Sequence, residues 1–244
     1  MPQVKPHVEL LSHTPQPEQT IAMSARLCYA AADIGALKER ISAKDQSKFI
    51  ARLAGMGHLS TFEHVSFTFG VEGVSRSLLA QITRHRVASF SVQSQRYVGQ
   101  VHENGETFDY VVPPAIEALG EAAVADYHGQ MAQMQAWYNQ WNARLGAKGE
   151  ASNEDARFVL PNAAATKMMV TMNARELLHF FSLRCCNRAQ WEIRQVAWQM
   201  LALVKQVAPN IFAKAGPGCV AGACPEGKMS CGQAEQMRRR AAEL

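Results

Sequence analysis

The densest chemistry in this chain lies at residues 84–97, where Arg84, His85, Arg86, Ser89, Ser91, Ser94, Gln95, Arg96 and Tyr97 fall within fourteen positions. Guanidinium forks bind phosphate oxygens bidentately, and serine hydroxyls add donors beside them. Three guanidiniums held close together repel unless an anion sits among them. Few apolar residues interrupt the segment, so an ordinary buried strand is not expected here. Three readings stay open on charge alone: a pocket for an anion such as a phosphorylated small molecule, a basic surface segment, or a patch that meets nucleic acid. Ser94 has no histidine or carboxylate at triad-like spacing, so it reads as a ligand-binding hydroxyl rather than a nucleophile.

A second cluster is made of cysteines. Cys219, Cys224 and Cys231 lie in a Gly- and Pro-rich stretch over 216–232 that resembles a metal knuckle in composition. The spacing is not a paired CxxC, and zinc usually takes four ligands. A fourth would have to come from the rest of the chain, from a histidine or a cysteine. A reduced packing tail or a redox-sensitive thiol cluster are the other readings. The adjacent Cys185 and Cys186 are expected to be reduced and partly buried.

The bulk properties suit a globular chain rather than a disordered one. The chain has 244 residues, 48% hydrophobic and 19% charged, with a net charge of +4. Its isoelectric point of about 8.8 favours anionic ligands without implying a nucleic-acid stripe. No apolar run approaches the roughly 18 residues needed to cross a bilayer, and the first ten residues lack an apolar signal core. A cytoplasmic location is the expectation. The basic run Arg238, Arg239 and Arg240 reads as a solvated helix end.

The elements that must position these residues can be read from periodicity. Strands are expected over 4–11, around Val65, Phe67, Phe69 and Val71, over 110–112 and over 167–172. Helices are expected over 17–31, 44–57, 75–84, 173–184 and 189–207, with Asn173 as an N-cap. A stripe of Ile116, Leu119, Ala123, Tyr127, Met131, Met134, Tyr138 and Trp141 predicts one long amphipathic helix of about seven turns, running to Gly146. The mixture, without a regular βαβ rhythm, predicts an α+β fold with a mainly antiparallel sheet.

The segment 84–97 resembles the RHRxxSxNxxSxRY pattern of flavin-dependent thymidylate synthases at every fixed position but one. The departure is Ser91, where the pattern often has asparagine; serine keeps a small hydrogen-bonding group there. Residues 57–64, with His58, Ser60, Glu63 and His64, look like that family's segment before its first core strand. Residues 173–178, 183–184 and 189–194 look like its C-terminal half. The resemblance spans roughly 5–212 and implies a catalytic domain over 1–212 followed by a Cys- and Gly-rich extension over 213–244.

The resemblance implies roles residue by residue. Gln81, Arg84, Ser94, Gln95, Arg96, Arg157 and Arg184 match positions that hold dUMP. Arg184 is matched to the cation beside the uracil carbonyl, a catalytic role in stabilising an enolate-like ring. His58, Ser60, His85, Arg86 and Asn173 match FAD contacts, with His179 a further candidate, Glu63 a polar neighbour and Cys28 a lining residue. It also implies FAD as cofactor, NADPH as reductant, methylenetetrahydrofolate as carbon donor and a homotetramer with sites at subunit interfaces. The family needs no cysteine nucleophile, and none lies in 84–97. It does not hold FAD in a Rossmann fold, and no GxGxxG occurs. Two other functions compete: a nucleic-acid module using Arg84 to Arg96 on phosphates, and a nucleotide-binding tetramer without chemistry.

Overall fold

Val65, just before the second strand, and Phe67, Phe69 and Val71 along it are all buried at alternate positions, as their spacing predicts. The computed structural model describes residues 2–244. In chain order it contains β1 (His7–His13), α1 (Pro17–Leu27), α2 (Ile34–Ser42), α3 (Ser47–Gly55), a 3-10 turn at Leu59–His64, β2 (Ser66–Ser75), α4 (Arg76–Ile82) and β3 (Ala88–Val92). There follow α5 (Pro114–Glu117), α6 (Glu121–Arg144), α7 (Glu150–Ala156), a 3-10 turn at Arg157–Val159, β4 (Ala165–Asn173), α8 (Ala174–Arg184), α9 (Trp191–Val207) and α10 (Ala234–Ala242). The strand order is β1-β2-β4-β3. Thr14, just past β1, donates its backbone N–H to Ser66 at the start of β2. Thr68 of β2 meets Thr171 of β4 hydroxyl to hydroxyl at 2.9 Å, while Arg76 pairs with Ala164. Both pairings run antiparallel, and the helices with this sheet make an α+β fold.

The chain divides into two compact units. Unit 1 comprises the described residues up to His7, Val71–Arg84 and Ser91–Met169; unit 2 comprises Val8–Gly70, His85–Phe90 and Val170–Leu244.

In unit 1 the expected long helix is broken. A short α5 begins at the Pro113-Pro114 pair, and α6 starts only after Gly120, whose φ of 97° is a conformation that glycine adopts without strain. The predicted stripe therefore splits. Met131 and Tyr138 are buried, but Leu119 is 76% and Trp141 45% exposed. Met131 packs with Phe108, Tyr110, Val112 and Ala164, with Ile116, Tyr127 and Met134 at the margin. Burying each such side chain contributes about 2 kcal/mol. The strand expected over 110–112 is reduced to one residue, Tyr110, which bridges to Gln3 and Ala164. The prolines that follow lack the N–H a ladder needs.

In unit 2, α1 ends at Leu27, short of the predicted 31, and α2 packs against it through Ala22, Leu37 and Ile41. Asp33 caps α2 by accepting from the Ala36 N–H at 2.9 Å. That helix had no sequence expectation, because its apolar positions are sparse. An aromatic run carries the core of this unit: Phe67 to Phe212, Phe212 to Phe181 and Phe181 to Phe180, with ring centroids 5.4–5.9 Å apart. It ends at His85, whose ring stands edge-on to Phe180 at 4.9 Å.

The basic run near the C-terminus is not merely solvated. Arg238 donates to the Cys219 and Gly222 carbonyls, and the Arg240 guanidinium lies 4.1 Å over the Trp198 ring.

Candidate functional site

α8 starts where the sequence places its cap: the Asn173 side chain accepts from the Glu176 N–H at 2.9 Å. That cap aims Glu176 inward, on the side of the helix that also buries Ala174, Leu177, Phe180 and Phe181. A carboxylate on such a face needs partners. Its partner is the buried His85: Nδ1 lies 2.9 Å from Glu176 Oε1. The other ring nitrogen, Nε2, accepts from Arg184 Nε at 3.0 Å. A guanidinium can only donate, so Nε2 carries no proton and Nδ1 donates to the carboxylate. The result is a fixed line, Glu176–His85–Arg184, with one tautomer of a neutral imidazole. Burial lowers the His85 pKa against the opposing Glu176 hydrogen bond, and the nearby Arg184 charge lowers it further. The line orients the Arg184 guanidinium through its Nε.

Beside this line in unit 2 lies a cleft of about 650 Å³. Asn173, Glu176 and His179 line it with Leu59, Val87 and Leu178, and Arg175 pairs with Glu63 at 2.5 Å on its wall. Asn173 and His179, two of the six residues matched to flavin contacts, thus meet at one cleft. His85 touches the Phe180 and His179 rings but is itself buried. His58, Ser60 and Arg86 are exposed and do not line the cleft. Cys28 is exposed, its thiol donating to the Ser24 carbonyl at 3.8 Å.

Unit 1 holds six of the seven residues matched to dUMP: Gln81, Arg84, Ser94, Gln95, Arg96 and Arg157. The Ser94 hydroxyl accepts from the Arg96 N–H at 3.1 Å and folds a turn. That turn presents Arg96, which is ion-paired with Glu150 and lies 3.8 Å from Glu154. The Glu150 hydrogen bond raises the Arg96 pKa further. Asn153 holds the same turn by donating to the Arg96 carbonyl at 3.1 Å, and is itself gripped by Tyr138 and Asn142. Arg84 is exposed at the end of α4, and Gln81 donates to the Ser77 carbonyl at 3.4 Å. Gln95 lines a separate cleft of about 450 Å³ with Gln93 and Lys167. Ser91 is exposed on the edge strand β3; the expectation that 84–97 is no ordinary buried strand fits that partly exposed strand.

Two participants had no assigned role in the sequence. Glu176 follows Asn173 by three residues, a spacing that reads as a capping pair; only its burial shows otherwise. Arg76 had no signal. It donates from Nη2 to the Gln93 carbonyl at 2.9 Å, while its Nε is buried without a hydrogen-bond partner. Burial and then the like charge of Arg157 lower the Arg76 pKa. Two neighbouring guanidiniums, one with an idle donor, suit an anion.

In unit 2 the C-terminal stretch brings Cys186, Cys219, Cys224 and Cys231 to one further cleft. All six cysteines are free thiols. Burial and then Cys224 push the Cys219 thiol up, with smaller contributions from Cys186 and Cys231.

Residues 9–210 match the family model described as thymidylate synthase complementing protein. The chain is 52% identical over 232 residues to a flavin-dependent thymidylate synthase of Geobacter sulfurreducens, covering 95% of this chain and 96% of the relative. It is 50% identical to the enzyme of that name from Nitratidesulfovibrio vulgaris, covering 96% and 97%, and 43% identical to that from Pyrococcus furiosus, covering 90% and 89%. The line of Glu176, His85 and Arg184 and the turn that presents Arg96 both fall within the matched residues, and the chain belongs to the thymidylate synthase complementing protein family.

Proposed function

We propose that this chain is a flavin-dependent thymidylate synthase that converts dUMP to dTMP, with methylenetetrahydrofolate as carbon donor and NADPH as reductant. The observation that carries the reading is the hydrogen-bonded line Glu176–His85–Arg184, which ties the start of the basic segment to the end of α8 and aims a fixed cation. A uracil ring gains negative charge when its carbon attacks, and a preoriented guanidinium stabilises that charge without reorganising.

Arg96 on its turn, Arg157 beside Arg76, Arg84 and the Gln81, Ser94 and Gln95 side chains bind and orient dUMP, and Arg184 polarises the uracil carbonyl. The cleft in unit 2 fits a flavin: it offers Asn173, His179 and Arg175 as polar partners and Leu59, Val87 and Leu178 as an apolar wall for a ring. His58, Ser60 and Arg86 extend that contact, and His85 acts from behind by holding Arg184. FAD held there would supply the hydride-transfer chemistry, with NADPH as the source of electrons.

The enzyme works as a homotetramer in the cytoplasm, with sites completed across subunits; large exposed side chains such as Tyr29, Leu119 and Phe158 support that assembly. Among the described residues no helix is long and apolar enough to cross a membrane. Residues 1–212 form the catalytic part and 213–244 an extension.

The test is direct. The purified protein should carry the flavin absorption bands and form dTMP from dUMP only when methylenetetrahydrofolate and NADPH are both supplied. A colourless protein that binds oligonucleotides in a salt-sensitive way and forms no dTMP would refute the reading.

A further inference from the structure

We propose that Cys186, Cys219, Cys224 and Cys231 form a four-thiolate zinc site that fastens the C-terminal extension to the loop between α8 and α9. All four side chains line one cleft of about 490 Å³ in unit 2. The other two cysteines are sorted away from it: Cys28 is exposed at the end of α1, and Cys185 is buried in the core with its carbonyl accepting from Trp198 Nε1 at 3.1 Å. Adjacent residues 185 and 186 therefore serve different surroundings, one the core and one the cleft. The sequence showed three tail cysteines short of a ligand set; folding brings up a fourth, Cys186, from the loop between α8 and α9.

The backbone around the cleft is tied at several points. The Gly218 N–H donates to the Ser182 carbonyl. A Cβ at Gly218 would stand 2.8 Å from the Pro225 ring, so the segments carrying Cys219 and Cys224 lie against each other only because residue 218 has no side chain. Cys231 accepts from Asn187 Nδ2 at 3.9 Å, next to Cys186 in sequence. Arg188 pairs with Glu226 at 3.3 Å and donates to the Met229 carbonyl, and Arg238 donates to the Cys219 carbonyl at 3.0 Å.

The donor set fits zinc. Four thiolates around a divalent cation carry a net charge near −2, and the Arg188 and Arg238 guanidiniums stand close by to offset it. No histidine lines the cleft, and its one carboxylate, Glu226, is engaged by Arg188. Among the described residues no three ligating side chains already stand at metal-holding spacing. Binding must therefore draw the sulfurs inward with loss of their protons, the usual coupling of metal binding to local folding. Arg184 lines the same cleft, so the ion would stiffen the end of α8 that presents it.

The experiment is metal analysis of the full chain purified under reducing conditions, followed by chelation and titration with cobalt(II). About one zinc per chain is expected, and cobalt should give the sulfur-to-metal charge-transfer band and visible bands of a tetrahedral thiolate site. Cys224→Ser and Cys231→Ser should each weaken those bands, and Cys28→Ser should leave them unchanged. Absence of zinc and of thiolate–cobalt bands in the unsubstituted protein overturns the proposal. So do a stable disulfide among these four residues in the reduced preparation, bands that persist in the Cys224→Ser/Cys231→Ser double variant, and iron with acid-labile sulfide in place of zinc. The titration of the unsubstituted chain decides the matter even where a variant does not fold.

Discussion

His85 and Glu176, 91 residues apart in sequence, meet through a 2.9 Å hydrogen bond in the interior of unit 2. Because Arg184 donates to the opposite ring nitrogen, the imidazole is neutral and its tautomer fixed. Burial keeps the His85 pKa below the ordinary value of about 6.5. The unfolded chain then takes up this proton before the folded one does. The stability contributed by the neutral ring is complete above about pH 6.5 and is lost as pH falls below it towards the lowered folded-state pKa. Urea unfolding of the wild type across this window should show that loss, and His85→Gln should remove part of the slope. An unchanged slope would exclude His85 as its source.

Glu176→Ala leaves a buried imidazole N–H without its acceptor and should cost about 2 kcal/mol. Glu176→Gln retains an acceptor and should cost about half as much. If the line orients Arg184, both variants should reduce turnover more than they raise the KM for dUMP. Equal stability losses with unchanged turnover would leave Glu176 a purely structural residue.

Arg96→Ala should weaken dUMP binding roughly ten- to a hundredfold, the range for losing charge-assisted hydrogen bonds to a phosphate, and leave flavin content near that of the wild type. Its ion pair with Glu150 is largely exposed, so the melting temperature should change little. Calorimetric titration with dUMP decides; wild-type affinity in the variant would remove Arg96 from the nucleotide site.

Asn173 caps α8 and also lines the cleft, and the two roles separate by substitution. Asn173→Ser keeps a capping oxygen and should preserve stability to within about 0.5 kcal/mol; Asn173→Ala should cost about 1 kcal/mol. If the residue also touches flavin, both variants should retain less of it after gel filtration. Full flavin occupancy in both would confine Asn173 to capping.

Gly73 has φ of 66°, and a Cβ there would stand 2.2 Å from the Lys5 carbonyl oxygen, a backbone atom that cannot step aside. Gly73→Ala should destabilise the chain by about 3 kcal/mol, measured by denaturant unfolding. A loss well below 1 kcal/mol would mean that the two segments separate more readily than their contact indicates.

Much of this was legible from local chemistry. The alternation in β2, the Asn173 cap and the arginine-rich segment all announce themselves over a few residues. What was hidden depends on distant partners. Glu176 looks like half of a capping pair until His85 arrives beside it, and Arg76 becomes notable only when Arg157 stands next to it. Gly120 interrupts an apolar stripe whose spacing is otherwise helical, and a 3.6-residue period does not register the change of backbone sign at one glycine. The four cysteines are separated by up to 45 positions, from Cys186 to Cys231, so no spacing rule could group them.

The rings left facing solvent have a last consequence. Phe158, in the turn directly after Arg157, is 83% exposed, and Tyr29 is 77% exposed. In the proposed homotetramer, a newly made chain would carry these adhesive spots before it meets its partners. Recovery from denaturant should therefore peak at an intermediate protein concentration: scarce chains fail to meet, and crowded ones stick wrongly before their surfaces are matched.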